Sequence, residues 1–210
     1  SDEASMITGS ILEVDGGRCI WMVKKIGILG DIGSGKSFIA KQFGYPVFNA
    51  DKEVSKIYKT NINCFKKLKN KLPKYIKSYP INKIELSNAI LANSKNLKKV
   101  VRIVHPIVRT QMNIFLKKNK KSKIVILDIP LLIENKLNKK NDILIFIEAE
   151  KKLINLRLKK RINYNKKIIE NFRKIQKSLA IKKKLSTYVI KNNFKLLTIK
   201  KKVKIIKKNI

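Results

Sequence analysis

The chain has 210 residues, enough for one domain, or for one domain with a small insert, around a sizeable core. Its hydrophobic fraction of 44% excludes a disordered chain, and no apolar run reaches the ~18 residues that predict a membrane span. Basic residues outnumber acidic ones by 50 to 14, which gives a net charge of +36. The two cysteines lack a metal-binding spacing and predict a reduced, cytoplasmic setting.

Residues 1–21 differ in composition from everything that follows. They carry four acidic residues, one arginine and no lysine, whereas lysine is spread through the rest of the chain. Their string SMITGSILEVDGGRCI resembles the C-terminal tail of short-chain dehydrogenase/reductase proteins, where it forms a last strand and turn. We therefore expect an appended segment, with Met22 as the original start; the alternative is an N-terminal extension that packs on the domain.

The remaining residues alternate between short apolar segments and longer helical patterns. Apolar, β-branched segments predict strands at 24–29, 47–49, 123–129, 143–147 and 188–190. Helical patterns cover 36–43, 52 to about 120 with breaks near Pro73 and Pro80, 150–181, and the lysine-rich tail. Pro106 falls inside the pattern at 95–119 and is expected to kink that helix or to start a new one. Short buried strands separated by helices predict an α/β fold with a parallel sheet.

Residues 30–37, GDIGSGKS, match the G-x-x-x-x-G-K-[ST] pattern of a P-loop. Such a loop wraps phosphates with backbone N–H groups, which requires small residues with permissive backbone angles. Lys36 is expected to reach the β- and γ-phosphates, and the Ser37 hydroxyl to bind Mg²⁺. The predicted nucleotide-binding residues are Gly30, Gly33, Ser34, Gly35, Lys36, Ser37 and Phe38. Because the pattern follows a strand and opens a helix, it predicts a nucleoside triphosphate site rather than a glycine turn with a chance lysine.

Two aspartates lie at the carboxyl ends of predicted strands and are expected to face the same crevice as the P-loop, since ligands of open α/β sheets bind there. Asp128 ends the strand IVILD and is either a ligand of Mg²⁺, directly or through water, or an ordinary strand-ending aspartate. Asp51 follows the second strand, where a carboxylate can orient a substrate hydroxyl and accept its proton. The alternative for Asp51 is the N-cap of a helix that starts at Lys52, and one residue can serve both purposes.

Several motifs in chain order resemble the dephospho-CoA kinase family between Met22 and about Asn193. They are the P-loop, FNAD at 48–51, VHP at 104–106, DIPLLIE at 128–134, the arginines Arg157 and Arg161, Gln176, and YVIKNN at 188–193. The resemblance implies a P-loop kinase of the nucleoside monophosphate kinase type. Its expected fold is a three-layer α/β/α P-loop NTPase with a five-stranded parallel sheet.

The same resemblance implies three parts within a domain at 22–210. A core is expected at 22–51, 121–156 and 177–210, a helical substrate-binding insert at 52–120, and a lid at 157–176. The substrates implied are ATP and dephospho-CoA, without a membrane or a specific nucleic acid. We expect a monomer or a weak oligomer.

The implied reaction is ATP-dependent phosphorylation of the ribose 3′-hydroxyl of dephospho-CoA, which gives coenzyme A and ADP with Mg²⁺ as cofactor. Asp51 takes the position of the base, and Lys36 acts on the phosphates. Arg157 and Arg161 would stabilise charge on the transferring phosphoryl group, and their i, i+4 spacing on a helix predicts one shared face. The alternative for these arginines is a solvated basic surface. The expected substrate-binding residues are Asp51, His105, Leu131 and Glu134, with a packed helix-cap role as the alternative for His105.

Four residues depart from the family pattern. Asp31 places a carboxylate in a loop that faces phosphates, so it either points outward or weakens ATP binding. Asn49 replaces the first aspartate of the family's pair. Phe38 replaces the usual threonine, and Thr187 replaces an aspartate before the last strand. Because the phosphate-binding lysine and the candidate base remain, we expect an active enzyme.

The excess of basic residues has two interpretations. The chain contains 44 lysines but only 6 arginines, together with 34 isoleucines and 20 asparagines, and these are the residues that A/T-rich codons favour. Phosphate recognition would favour arginine, whose guanidinium binds two oxygens at once. We therefore expect base composition to explain the charge.

The alternatives for function are another small-molecule P-loop kinase, acting on a nucleotide or sugar, and a basic nucleic-acid-binding P-loop protein.

Overall fold

A five-stranded parallel sheet forms the centre of the computed structural model, which describes residues 23–161 and 164–210. The strands are β1 (Lys24–Gly30), β2 (Val47–Asn49), β3 (Ile124–Asp128), β4 (Ile143–Glu148) and β5 (Tyr188–Lys191). They lie in the order β2-β3-β1-β4-β5, and each neighbouring pair is parallel. The predicted α/β fold with a five-stranded parallel sheet is confirmed.

Helices connect the strands and follow the last one. They are α1 (Lys36–Gln42), α2 (Ala50–Thr60), α3 (Ile62–Lys71), α4 (Lys83–Ala92), α5 (Ser94–Lys118), α6 (Lys151–Lys159), α7 (Lys166–Lys174), α8 (Leu179–Lys184) and α9 (Leu196–Lys208). The single helical pattern expected at 150–181 is wrong in detail, because it contains three separate helices. Asn165 caps α7 by accepting from the N–H of Ile168, and Ser178 caps α8 by accepting from the N–H of Ile181.

Helix α5 is continuous through Pro106, so the expectation that a new helix starts there is wrong. The apolar face of the helix continues on both sides of the proline, with Val100, Val104, Val108 and Met112 buried at a spacing of four residues. The hydroxyl of Thr110 donates to the carbonyl of Pro106 at 3.2 Å. Tertiary packing of that face thus preserves a helix that the local sequence disfavours.

The two faces of the sheet are both covered by helices. On one face Ile26 and Ile28 of β1 pack with α1 and α9, and on the other Leu29 packs with α2 to α5. The alternation along β1 follows from the two-residue period of a strand. The result is a three-layer α/β/α arrangement in which α2 to α5 form a helical layer beside the carboxyl end of β2.

Residues 1–21, with their resemblance to a dehydrogenase tail, lie outside the described residues. Within residues 23–161 and 164–210, no helix combines the length and the apolarity needed to cross a membrane.

Candidate active site

The carboxyl ends of β1, β2 and β3 bring three predicted site segments together. Gly30 ends β1 and begins the P-loop, and Asn49 ends β2 two residues before Asp51. Asp128 ends β3 and stands opposite Asn49 in the register of the sheet. The structure therefore places the P-loop, Asp51 and Asp128 at one edge, as expected for an open α/β sheet.

The P-loop has the backbone shape that its glycines permit. Gly33 and Gly35 have backbone φ angles of 86° and 92°, which residues other than glycine rarely adopt. A Cβ at Gly35 would lie 2.5 Å from the side-chain nitrogen of Asn192. That nitrogen donates to the carbonyl of Ser34 at 2.7 Å, and Ser34 itself is fully buried. Asn192, which follows β5, thus holds the loop in place by this hydrogen bond.

Lys36 turns back onto the loop that carries it. Its ammonium donates to the carbonyl of Asp31 at 2.7 Å and to that of Gly30 at 3.2 Å. Burial lowers the pKa of Lys36 to about 8, an effect that Lys182 reinforces and nearby carboxylates, chiefly Asp128, oppose. Phosphate oxygens can replace these carbonyls as acceptors, so the lysine is positioned for an anion at the loop.

Asn49 joins the two predicted metal ligands. Its side-chain nitrogen donates to the carboxylate of Asp128 and, at 3.4 Å, to the hydroxyl of Ser37. Its side-chain oxygen accepts from the N–H of Lys52 at 2.8 Å and so caps α2, which begins at Ala50. The alternative that Asp51 is the N-cap is therefore wrong. The departure at Asn49 supplies both a cap and a bridge.

Asp51 lies in the first turn of α2, at the boundary between the P-loop and a large cavity. The pKa of its carboxyl is raised, first because the surrounding protein removes water from it and then because of the charge of Asp128. Lys36 and Arg161 act in the opposite direction. Asp51 thus lies among the charged groups of the P-loop side and at the edge of the cavity.

The large cavity has a volume of about 540 Å³ and mostly apolar walls. The structure brings three of the predicted substrate-binding residues to it, Asp51, His105 and Leu131. Arg102 and Arg109 supply its positive charge. The pKa of His105 is lowered, mainly by burial, so the imidazole is neutral at neutral pH.

Arg157 and Arg161 do not share one helical face, so that expectation is wrong. Helix α6 ends at Lys159, and Arg161 lies in the turn beyond it. The guanidinium carbon of Arg157 lies 4.5 Å from the centroid of the Phe194 ring, beside the P-loop, whereas Arg161 lowers the pKa of Asp51 by its charge. The two arginines therefore lie at different places, Arg157 beside the P-loop and Arg161 near Asp51.

Glu134 does not reach the large cavity. Its carboxylate lies 3.1 Å from the ammonium of Lys182, which is 1% exposed, and it accepts from the N–H of Lys177 at 2.8 Å. Lys182 also donates to the side-chain oxygen of Gln176 at 2.7 Å. The structure thus places Glu134 in a buried ion pair outside the large cavity. Phe38, which was predicted as a nucleotide-binding residue, lies in α1 and is 45% exposed.

Sequence reasoning missed Arg173, Lys182 and Phe194 as residues of this region. Arg173 binds the carboxylate of Asp31 with both arms of its guanidinium, 142 positions away in sequence. The only available signal was its rarity, an arginine among lysines in α7. Lys182 had no signal, since it stands in a run of three lysines.

Fold and site together define the class of the protein as a P-loop kinase: a phosphate-binding loop, an adjacent carboxylate and a large cavity beside it on a five-stranded parallel sheet. A crystal structure from Thermus thermophilus has a TM-score of 0.72 to the chain, with 25% identity, 90% of this chain covered and 98% of the other. The dephospho-CoA kinase from Campylobacter jejuni shares the fold, with a TM-score of 0.58, 21% identity, and 89% and 97% covered.

The model of the dephospho-CoA kinase family matches residues 24–197. A dephospho-CoA kinase from Wolbachia pipientis is 32% identical over 170 residues, which cover 79% of this chain and 87% of that protein. The chain therefore belongs to the dephospho-CoA kinase family. Its activity is that of the family, the ATP-dependent final step of coenzyme A biosynthesis.

Proposed function

We propose that phosphate passes from ATP in the P-loop to the ribose 3′-hydroxyl of dephospho-CoA at Asp51. The observation that supports this is the position of Asp51, which lines the large cavity and also lies near Lys36 and Asp128. A phosphoryl donor on one side and an acceptor on the other would meet at this carboxylate. The expected insert at 52–120 supplies one wall of the cavity, and the lid at 157–176 supplies Phe172.

The nucleotide occupies the P-loop side of this boundary. Backbone N–H groups of the loop and of the first turn of α1 bind the phosphates, and Lys36 exchanges its carbonyl acceptors for phosphate oxygens. Arg157 and Phe194, stacked beside Gly35, offer a cationic and an aromatic surface to the base of ATP.

Ser37 and Asp128 are suited to Mg²⁺. Both offer oxygen atoms, and the side-chain nitrogen of Asn49 donates to both, so the hydroxyl and the carboxylate lie near each other at the P-loop. The described residues contain no group of three or more histidine, cysteine, aspartate or glutamate side chains that could hold a metal by themselves. This agrees with an ion held largely by phosphates and water. When bound, Mg²⁺ neutralises charge on the phosphates.

The acceptor occupies the large cavity. Dephospho-CoA combines a nucleoside, a diphosphate and a long neutral arm, which suits apolar walls with a few cations. Arg102 and Arg109, which lie on the cavity, are placed to bind the diphosphate, while His105 and Leu131 pack against the rest. Asp51 orients the 3′-hydroxyl and accepts its proton late in the transfer, and Arg161 stabilises the charge that develops beside it.

The test is a coupled assay with ATP and dephospho-CoA on the wild type, Lys36→Ala and a matched control, Lys41→Ala. Lys41 is exposed on the same helix, so its removal should change neither rate nor fold. Lys36→Ala should abolish turnover while the circular dichroism spectrum is retained. Turnover within tenfold of wild type in a folded Lys36→Ala protein would contradict the proposal. The same assay with a nucleotide or a sugar as acceptor tests the alternative that the chain is another small-molecule P-loop kinase.

A further inference from the structure

An ion pair connects the P-loop to helix α7. Arg173 donates from Nε to one oxygen of Asp31 at 3.0 Å and from Nη2 to the other at 2.7 Å. Asp31 is 8% exposed and also accepts from the N–H of Ile32 at 2.7 Å. Both carboxylate oxygens are thus used, in the two-point geometry that makes such pairs strong.

The position of this carboxylate is unfavourable for a phosphate site. Asp31 is the second residue of the P-loop, and its own carbonyl accepts from the ammonium of Lys36. An unpaired carboxylate at that point would repel the phosphates of a nucleotide. Arg173 removes this repulsion by neutralising the charge. The same fork also has the geometry with which a guanidinium binds a phosphate.

Helix α7 faces both substrate regions. Phe172 lines the large cavity, while Arg173, the next residue, reaches the P-loop. Because neighbouring residues on one short helix serve the two regions, a bond that fixes Arg173 also fixes the wall that Phe172 supplies. Lys151 and Lys177 line a smaller cavity of about 350 Å³ at the pair, but it is Arg173 that bonds to the Asp31 carboxylate.

We propose that Asp31 and Arg173 are paired positioning residues that hold α7 on the P-loop before nucleotide binds. In this arrangement Arg173 acts through Asp31: it cancels a charge that would otherwise repel ATP, and Asp31 in return supplies the anchor for the lid helix. The proposal rests on the P-loop as the nucleotide site, as argued above. It makes the order of α7 in the free enzyme independent of the nucleotide.

The pair can be tested with Arg173→Gln, Asp31→Asn, the double variant and Lys174→Gln as a control. Lys174 is the exposed neighbour of Arg173, so Lys174→Gln removes the same charge from α7 without touching Asp31. Calorimetry gives the Kd of ATP, steady-state kinetics separates KM for ATP from kcat, and amide hydrogen exchange reports the order of α7 in the nucleotide-free protein.

Arg173→Gln should weaken ATP binding about tenfold, because it leaves an uncompensated carboxylate beside the phosphates. Asp31→Asn should change the Kd by less than about threefold, and the double variant should return to within about threefold of wild type, since the repulsive charge is gone. Both single variants and the double variant should exchange amides of α7 faster without nucleotide. Lys174→Gln should match wild type in every measurement.

Two results would overturn the proposal. If the double variant binds ATP as weakly as Arg173→Gln, Arg173 acts on the nucleotide directly and not through Asp31. If Asp31→Asn leaves the exchange of α7 unchanged, the pair does not hold the helix. The exchange measurement needs no nucleotide, so it decides the anchoring role even if the Lys36→Ala assay contradicts the proposed transfer site.

Discussion

The lowered pKa of Lys36 predicts that ATP binding weakens as the pH rises through about 8. Only the protonated ammonium attracts phosphate. With a pKa of about 8, about 90% of the lysine is protonated at pH 7 and about 10% at pH 9, so the Kd of ATP should rise about tenfold between these values. A lysine with the ordinary pKa of 10.5 would change the Kd by only a few per cent over the same range.

The assay is calorimetry of ATP binding from pH 7 to pH 9, on the wild type and on Lys36→Arg. A guanidinium stays charged throughout, so the variant gives the contribution of every other titrating group, including ATP itself. The difference between the two profiles should have its midpoint near pH 8. Equal profiles would refute the desolvation argument.

The pH dependence of the free energy of unfolding tests the lowered pKa of Lys36 independently. The unfolded lysine keeps its proton up to about pH 10.5, whereas the folded one loses it near pH 8. Between these values the unfolded state binds more protons, so Lys36 makes the free energy of unfolding rise with pH. Lys36→Met should remove this rise, as urea unfolding at pH 8 and pH 10 would show.

Three further predictions concern other side chains. Asp51→Asn should lower kcat by roughly 10²–10⁴ with little change in the Kd of ATP, and a fall of less than fivefold would exclude Asp51 as the base. Asn49→Ala should lower the free energy of unfolding by about 1 kcal/mol through loss of the cap and should raise the Mg²⁺ concentration needed for half-maximal rate; an unchanged Mg²⁺ dependence would contradict the bridge between Ser37 and Asp128. Lys182→Met should destabilise the fold by about 3–5 kcal/mol by leaving Glu134 unpaired in the interior, and Glu134→Gln in the same chain should recover part of that loss in urea unfolding.

Local patterns in the sequence were sufficient for the sheet and the P-loop. Apolar β-branched runs such as IVILD predict buried strands because both faces of a parallel sheet are covered. Periodicity was less informative for α6 to α8, where lysines fill the exposed positions and the breaks depend on the caps Asn165 and Ser178. At Pro106 the sequence predicted a break that the structure does not have, because the buried face of α5 continues through the proline.

Pairs of side chains that are distant in sequence were not predictable. Asp31 and Arg173 are 142 positions apart, and Glu134 and Lys182 also belong to different elements. Such a pair leaves no period and no motif, so a single sequence shows only that each residue is unusual or ordinary in its own segment. The role of Asn49 was hidden for a similar reason, because its partner Asp128 ends another strand.

The arginines of the described part of the chain lie near the candidate active site, whereas the lysines are spread over the whole chain. The chain has 44 lysines and 6 arginines, and the five arginines in the described part of the chain all belong to the crevice. Arg102 and Arg109 lie on the large cavity, Arg157 stacks on Phe194, Arg161 influences Asp51, and Arg173 binds Asp31. Stacking and two-point bonding need a planar guanidinium, which a lysine ammonium cannot replace. At Arg157, which stacks on a ring, and at Arg173, which binds both oxygens of a carboxylate, a lysine could not make the same contacts, so these two positions require arginine although lysine dominates the composition.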